Sequence, residues 1–364
     1  MFEEKGGYGA FPLMTEVTSI HAPKTMKVFL CETIHPEAYR LLAEHAEIIS
    51  TRERMGETDA LISRVISVGA AEMDAMPALK VIAVHGTGTD GIDLAEAKKR
   101  GIRVVYAPHM NANAVAELNV TLLLAVMRKI VYARQLIDDA VQESCASGKT
   151  FAAGNAAPED AAKWQQDRIR RQERMAFAQG ALRGHELRGK TAGFAGFGAI
   201  GSRTAEILHY GFGMECLAWS PSLTPERAAK HGSRAASSAE EVFRNADVVF
   251  LALPLNEKTR GIAGRESLAE MKQGAVLINA SRAGLVDEEA LREALERGHL
   301  GGAASDVLQE EFPGADHPLL QFPNFVVTPH IGANTDEALY EVGMCCVRQI
   351  LDVLAGKAAE YPVV

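Results

Sequence analysis

The stretch GFGAIG, residues 196–201, places Gly196, Gly198 and Gly201 in the spacing G-x-G-x-x-G. In a chain with 32 glycines such spacing also arises by chance, so its flanks decide the reading. TAGFAGF (191–197) is an apolar run of strand type, and AIGSRTAEILHY (199–210) carries a helical pattern. Strand, glycine turn and helix in that order form a dinucleotide-binding fingerprint. The first glycine permits the tight turn, the second removes a Cβ where the pyrophosphate must approach, and the third lets helix and strand pack closely. Backbone N–H groups at Ala199, Ile200 and Gly201, together with the helix dipole, then attract the negative phosphates. A purely structural glycine turn is the weaker reading of that context.

About 20 residues further on, a carboxylate commonly takes the ribose 2′-hydroxyl. The next strand, ECLAWS (215–220), ends instead at Ser220. No acid stands there to repel a 2′-phosphate. No arginine follows at once either, Arg227 being the nearest. The choice between NAD and NADP stays open.

Outward from the fingerprint, the chain alternates strands and helices in both directions. MKVFLCE (26–32), DALISR (59–64) and the run LKVIAVHGTGTDGIDLAEAKKRGIRVVYAP (79–108) read as strands with helices between them. After Gly189 come strands at TAGFAGF, ECLAWS, DVVFLALP (247–254), AVLINAS (275–281), GAASDV (302–307) and FVVTPH (325–330). Such alternation predicts parallel sheets with helices on their faces. One long helix is predicted from Asn113 to about Ala140, with Val115, Leu118, Leu122, Val126 and Ile130 three or four residues apart. A last helix is predicted over 335–356. The stretch 141–185 is unlike the rest: small and polar at first, then helical in pattern after Pro158, with Arg168, Arg170, Arg171 and Arg174. A solvated helix face is its plain reading.

The 364 residues suffice for two domains. A formal charge of −9 argues against nucleic acid as a main partner. Cys31, Cys145, Cys216, Cys345 and Cys346 form no C-x-x-C pair and no metal spacing, so free thiols in a reducing compartment and no metal site are expected. The longest apolar stretch, VTLLLAV (120–126), is too short to span a bilayer, and residues 1–25 lack the pattern of a secretion signal. A soluble cytoplasmic protein with an N-terminal arm over 1–25 is the expectation.

Four motifs in order, GKTAGFAGFGAIG (189–201), INASRAGLVDEEAL (278–291), SDVLQEEFP (305–313) and NFVVTPHIG (324–332), resemble the D-isomer-specific 2-hydroxyacid dehydrogenases. GTGTDGIDL (86–94) and NANAVAE (111–117) extend the likeness to nearly the whole chain from Met26. The resemblance implies an α/β fold of two Rossmann-like doubly wound domains. A flavodoxin-like substrate domain over 26–125 and 331–364 would carry an inserted NAD(P)-binding domain over 126–330, the active site lying in the cleft between them.

The same resemblance implies roles. Arg282 would hold a 2-oxo acid and polarise its carbonyl, a task suited to a permanently charged planar fork. His330 would be the acid/base, imidazole having a free pKa of ~6.5. Glu311 would be its carboxylate partner, favouring the charged ring. Thr87 and Gly88 would receive the substrate carboxylate on backbone N–H groups. Pro254, Thr259, the backbone at Ala280, Arg282 and Asp306 would line the cofactor, Asp306 facing the nicotinamide carboxamide. His85 and His109 could border the cleft. Taken singly, each residue has a structural reading: an ion pair, a satisfied histidine, a solvated acid. Three together at predicted strand ends of a nucleotide-binding fold favour the catalytic one.

The reaction so implied interconverts a small-molecule 2-oxo acid and a (D)-2-hydroxy acid with NAD or NADP, as in glyoxylate/hydroxypyruvate reductases or broader 2-oxo acid reductases. A homodimer is the family expectation. Formate dehydrogenases of the superfamily carry glutamine where Glu311 stands. A phosphoglycerate dehydrogenase is the second choice, because Arg64 lacks a close basic neighbour and the chain ends soon after His330. A non-catalytic NAD(H)-sensing corepressor-like binding protein is the alternative of another class.

Overall fold

The computed structural model describes residues 26–64, 66–146 and 179–364. The arm over 1–25 and most of the 141–185 stretch, including the four arginines at 168–174, lie outside the described residues.

The first sheet is built from β1 (Lys27–Leu30), β2 (Glu47–Ile49), β3 (Ala60–Ser63), β4 (Val81–Val84) and β5 (Arg103–Tyr106), with α1 (Pro36–His45), α2 (Ala70–Asp74) and α3 (Leu94–Lys99) in the connections. Its order is β2-β1-β3-β4-β5, and each pair is parallel. That is the flavodoxin-like winding. Alternate residues serve opposite faces, as a two-residue period requires. Val28, Leu30, Ile62, Val81, Ala83 and Val105 feed one core, while Phe29, Leu61, Ile82, Val84 and Val104 feed the other. Burial of both faces explains why these strands read as continuous apolar runs.

Two helices follow, α4 (Ala112–Met127) and α5 (Ile130–Ala146), where the apolar spacing predicts one. The break falls at Lys129, whose φ is +51°. The segment at Gly184–His185 crosses the helix end, and His185 N–H donates to the Met127 carbonyl at 3.0 Å. Continuation would need that space. Lys129 Nζ fixes the crossing by donating to the Ala181 carbonyl at 2.7 Å.

The second sheet comprises β6 (Thr191–Ala195), β7 (Glu215–Trp219), β8 (Ser233–Ala235), β9 (Val248–Leu251), β10 (Val276–Asn279), β11 (Gly302–Ser305) and β12 (Phe325–Val327). Between them lie α6 (Ala199–Glu206), α7 (Pro225–Ala229), α8 (Ala239–Asn245), α9 (Arg265–Glu270) and α10 (Glu288–Glu296). The order is β12-β11-β10-β9-β6-β7-β8, all parallel. The winding reverses between β6 and β9, which makes the crevice beyond their carboxyl ends the expected ligand position. Ala192, Phe194, Val248, Phe250, Val276 and Ile278 pack on one face, with Leu122, Leu123 and Val126 of α4. Val249, Leu251, Leu277, Ala303 and Phe325 pack on the other with Leu291 and Leu295 of α10.

Helix α4, which spans residue 125, packs against β10, β11, β12 and α6 of the second sheet. Gly302 makes this possible, since a Cβ there would lie 2.6 Å from Val126 Cγ1. The chain returns after β12 as α11 (Asp336–Leu354), which packs on α1, β4 and β5. Val342, Cys346, Val347 and Ile350 complete the core of the first sheet.

Candidate active site

The fingerprint loop follows β6. Gly196 has φ +101°, and a Cβ on it would collide with the Ala252 carbonyl. A Cβ on Gly201 would lie 2.7 Å from the Gly196 carbonyl oxygen. Both positions therefore require glycine for packing. Gly198 differs: it is exposed, and nothing lies within 4 Å of where its Cβ would be. The loop is tight beneath and open above, as a cradle for a phosphate group must be. Gly198 caps α6 without a side chain, leaving the first N–H groups of Ala199–Glu206 available. These residues fit a dinucleotide.

Ser220 is half-buried just past β7, and its carbonyl accepts from Leu223 N–H. Arg227 folds back over this corner. Its Nη2 donates to the Phe197 carbonyl at 2.9 Å and its Nη1 to the Ser222 carbonyl at 3.4 Å. A cation thus bridges the fingerprint loop and the loop after β7. By sequence spacing Arg227 is merely the nearest cation, because the bond spans 30 residues. On the opposite rim Thr259 Oγ1 donates to the Pro254 carbonyl at 2.6 Å and shapes the 254–259 loop. Ala280 follows directly on β10 and is half-buried.

The catalytic candidates come from the carboxyl ends of three adjacent strands. Arg282 lies after β10, Glu311 (and the cofactor-side Asp306) after β11, and His330 after β12. Buried Asn279 pins the arginine backbone: its Nδ2 donates to the Arg282 carbonyl at 3.0 Å, and its Oδ1 accepts from Ser281 N–H at 3.1 Å. The guanidinium reaches to the first sheet. Nε donates to Asp90 Oδ1 and Oδ2 at 3.0 and 3.1 Å. Nη2 lies so close to Gly88 that any side chain there would collide with it. The structure thus brings together Arg282 and the Thr87–Gly88 turn.

His330 has φ +53°, an uncommon backbone state for a residue with a side chain. Asp306 holds it there. The Asp306 carbonyl accepts His330 N–H at 2.8 Å, Oδ1 accepts Thr328 Oγ1–H at 2.6 Å and Ile331 N–H at 2.9 Å, and Oδ2 accepts Gly332 N–H at 2.7 Å. Most of the acceptor capacity of this buried carboxylate is therefore spent on the 328–332 loop. His330 Nδ1 lies 3.2 Å from Glu311 Oε1, both side chains being about half-exposed (41% and 50%).

His85 directly follows β4. Its side chain is buried, and Nε2 has no partner among the described residues and lies 3.6 Å from where a Cβ on Gly343 of α11 would be. Burial, and then the charge of Arg64, push its pKa down to about 4, so the ring is neutral near pH 7. His109 is exposed at φ +69°.

A polarising guanidinium over open backbone N–H groups, a carboxylate-held imidazole and a phosphate cradle, all at strand ends, suit hydride chemistry on a keto acid. The comparisons point the same way. Residues 160–332 match the model of the D-isomer specific 2-hydroxyacid dehydrogenase NAD binding domain. Hydroxypyruvate reductase of Thermotoga maritima is 34% identical over 324 residues, covering 88% of this chain and 93% of that protein. The chain belongs to the D-isomer-specific 2-hydroxyacid dehydrogenase family.

Within the D-isomer-specific 2-hydroxyacid dehydrogenases, D-3-phosphoglycerate dehydrogenase of Methanocaldococcus jannaschii is 34% identical over 344 residues, 92% of this chain. The alignment covers only 59% of that relative, so the chain spans little more than half the length of such curated relatives. A solved structure from Thermus thermophilus superposes with a TM-score of 0.73 at 34% identity, covering 93% of this chain and all of the other. Family membership brings an NAD binding domain and an α/β architecture of two parallel sheets. Among the described residues, no helix is long and apolar enough to cross a membrane.

Proposed function

We propose that this protein is an NAD(P)H-dependent reductase that interconverts a small 2-oxo acid and its (D)-2-hydroxy acid. The observation that carries the reading is the Arg282 guanidinium lying over Gly88 from across the cleft. Thr87 and Gly88 N–H groups receive the substrate carboxylate, and Arg282 grips carboxylate and keto oxygen with its remaining donors. A bound reduced nicotinamide supplies the hydride. Glu311 takes the Nδ1 proton of His330 in a hydrogen bond, which leaves Nε2 to give a proton to the carbonyl oxygen and to remove it in the oxidative direction. Gly196, Gly198, Ala199, Ile200 and Gly201 hold the pyrophosphate; Ser220, Pro254, Thr259 and Ala280 line the rest of the cofactor. Asp306 serves that site chiefly through the loop it ties down.

The test is oxidation of NADH and NADPH against a panel including glyoxylate, hydroxypyruvate and bulkier 2-oxo acids. Cofactor binding without turnover on any acid would favour the corepressor-like alternative. A phosphorylated substrate is the second reading, favoured by the phosphoglycerate dehydrogenases among the relatives. Including 3-phosphohydroxypyruvate in the panel separates the two.

Cofactor choice is set at the corner of Ser220 and Arg227. A carboxylate at 220 would sit where a 2′-phosphate must go, and like-charge contact is strongly unfavourable. Ser220→Asp is expected to shift the NADPH/NADH ratio of kcat/KM toward NADH by about tenfold or more. An unmoved ratio would remove Ser220 from the ribose.

Homodimer formation is supported by Ile130, Val131 and Ile137, which leave apolar surface exposed along α5 (46–58% each). Sedimentation should give a dimer, and Ile137→Asp should weaken it at least about tenfold, as expected for a charge placed in an apolar interface. A monomeric wild type would overturn this. A cytoplasmic location is supported by the free thiols of Cys31, Cys216, Cys345 and Cys346; recovery in a membrane or secreted fraction would refute it.

A further inference from the structure

We propose that Asp90 is a positioning residue for Arg282, holding the guanidinium from the opposite side of the cleft so that one chosen edge faces the substrate. The proposal rests on the functional reading above and adds a residue to it.

Asp90 stands in the loop between β4 and α3 of the first sheet, 192 residues from Arg282. Both of its carboxylate oxygens accept from Nε, at 3.0 and 3.1 Å. Nη1 donates to the Ser281 carbonyl at 2.8 Å. A guanidinium has five N–H donors in a fixed fork. The Nε–H and one Nη1–H are thereby spent, leaving one Nη1–H and both Nη2–H groups free. The free end is the one lying over Gly88. A Cβ on Gly88 would strike Nη2 and would lie 2.7 Å from Asp90 Oδ1. Residue 88 must therefore lack a side chain for carboxylate, guanidinium and backbone turn to meet. Asn279 fixes the arginine backbone from behind while Asp90 fixes its head from in front.

The pair is only partly buried, with side-chain exposures of 29% and 39%. Partly exposed ion pairs add little stability, so stability is a poor reason for this geometry. Orientation is a better one. The carboxylate also tempers the attraction of Arg282 for an anionic ligand. Removing it should leave the cation at least as attractive to a carboxylate but free to turn. Chemistry should then suffer more than ground-state binding.

Two measurements test this. The first does not depend on turnover. In ¹⁵N spectra the Arg282 Nε–H signal, assigned by its loss in Arg282→Lys, should exchange slowly with water and should exchange at least tenfold faster in Asp90→Ala. An Arg282 Nε–H that already exchanges freely in the wild type would overturn the proposal. The second uses a 2-oxo acid turned over by the wild type, with oxamate as an unreactive carboxylate. Asp90→Ala should lower kcat at least tenfold while the Kd for oxamate, measured with bound NAD(P)H, rises no more than threefold. Asp90→Asn, which keeps the shape and one acceptor oxygen, should fall between it and the wild type. A kcat within threefold of wild type in Asp90→Ala, or equal losses of kcat and oxamate affinity, would refute the positioning role. A wild type inactive on every 2-oxo acid defeats the functional reading instead, and the spectroscopic arm still decides Asp90.

Discussion

Arg282→Ala should lose about 10³-fold or more in kcat/KM on a competent 2-oxo acid, while the Kd for NAD(P)H changes little. The magnitude follows from removing a preorganised donor at the oxygen where charge develops, which alone costs about 10²–10³, together with the loss of carboxylate orientation. In free-energy terms a thousandfold loss is about 4 kcal/mol. Arg282→Lys keeps the charge and loses the fork, so it should lie between alanine and wild type. Fluorescence titration of the cofactor beside steady-state kinetics makes the distinction. Parallel losses of cofactor affinity and turnover would mean that the guanidinium serves the dinucleotide and not the keto acid. The backbone is pinned by Asn279 independently of the side chain, so neither variant should disturb the neighbouring loops.

His330→Asn should lower kcat by about 10²–10⁴, the span typical of losing a general acid–base, and leave cofactor binding intact. Asparagine is the informative replacement because residue 330 has φ +53°, a state asparagine tolerates better than alanine does. The Asp306 bonds to the 328–332 loop should survive, and the melting temperature should stay close to that of the wild type. Alanine would mix a backbone cost with the chemical one. Turnover of His330→Asn within threefold of the wild type would end the acid–base assignment.

Much of this is legible in the residues. The fingerprint at 196–201 and the parallel strands of four or five residues can be read because each depends on neighbours within one turn or one strand. What escapes depends on distance. β2 and β8 have three residues each, too few for a two-residue period to register. The break at Lys129 is imposed by a segment more than fifty residues later, so the apolar spacing of 113–130 continues through it. Asp90 stands in plain view inside GTGTDGIDL, yet its meaning lies in a partner 192 positions away. Arg227 likewise gains its place only when the loop after β7 folds back onto Phe197. The family resemblance assigns Asp306 to the cofactor, and the structure shows how heavily that carboxylate is engaged with the loop of His330.

The return of α11 to the first sheet has a consequence for how the molecule is made. Val342, Cys346, Val347 and Ile350 share a core with Val28, Leu42 and Ile62, so those early elements emerge from the ribosome long before their cover exists. The inserted unit has its own two-faced core from α4 to β12 and can fold while the first sheet still presents bare apolar surface. A nascent chain paused before residue 336 should thus engage chaperones through its first segment, and release from them should coincide with synthesis of the closing helix.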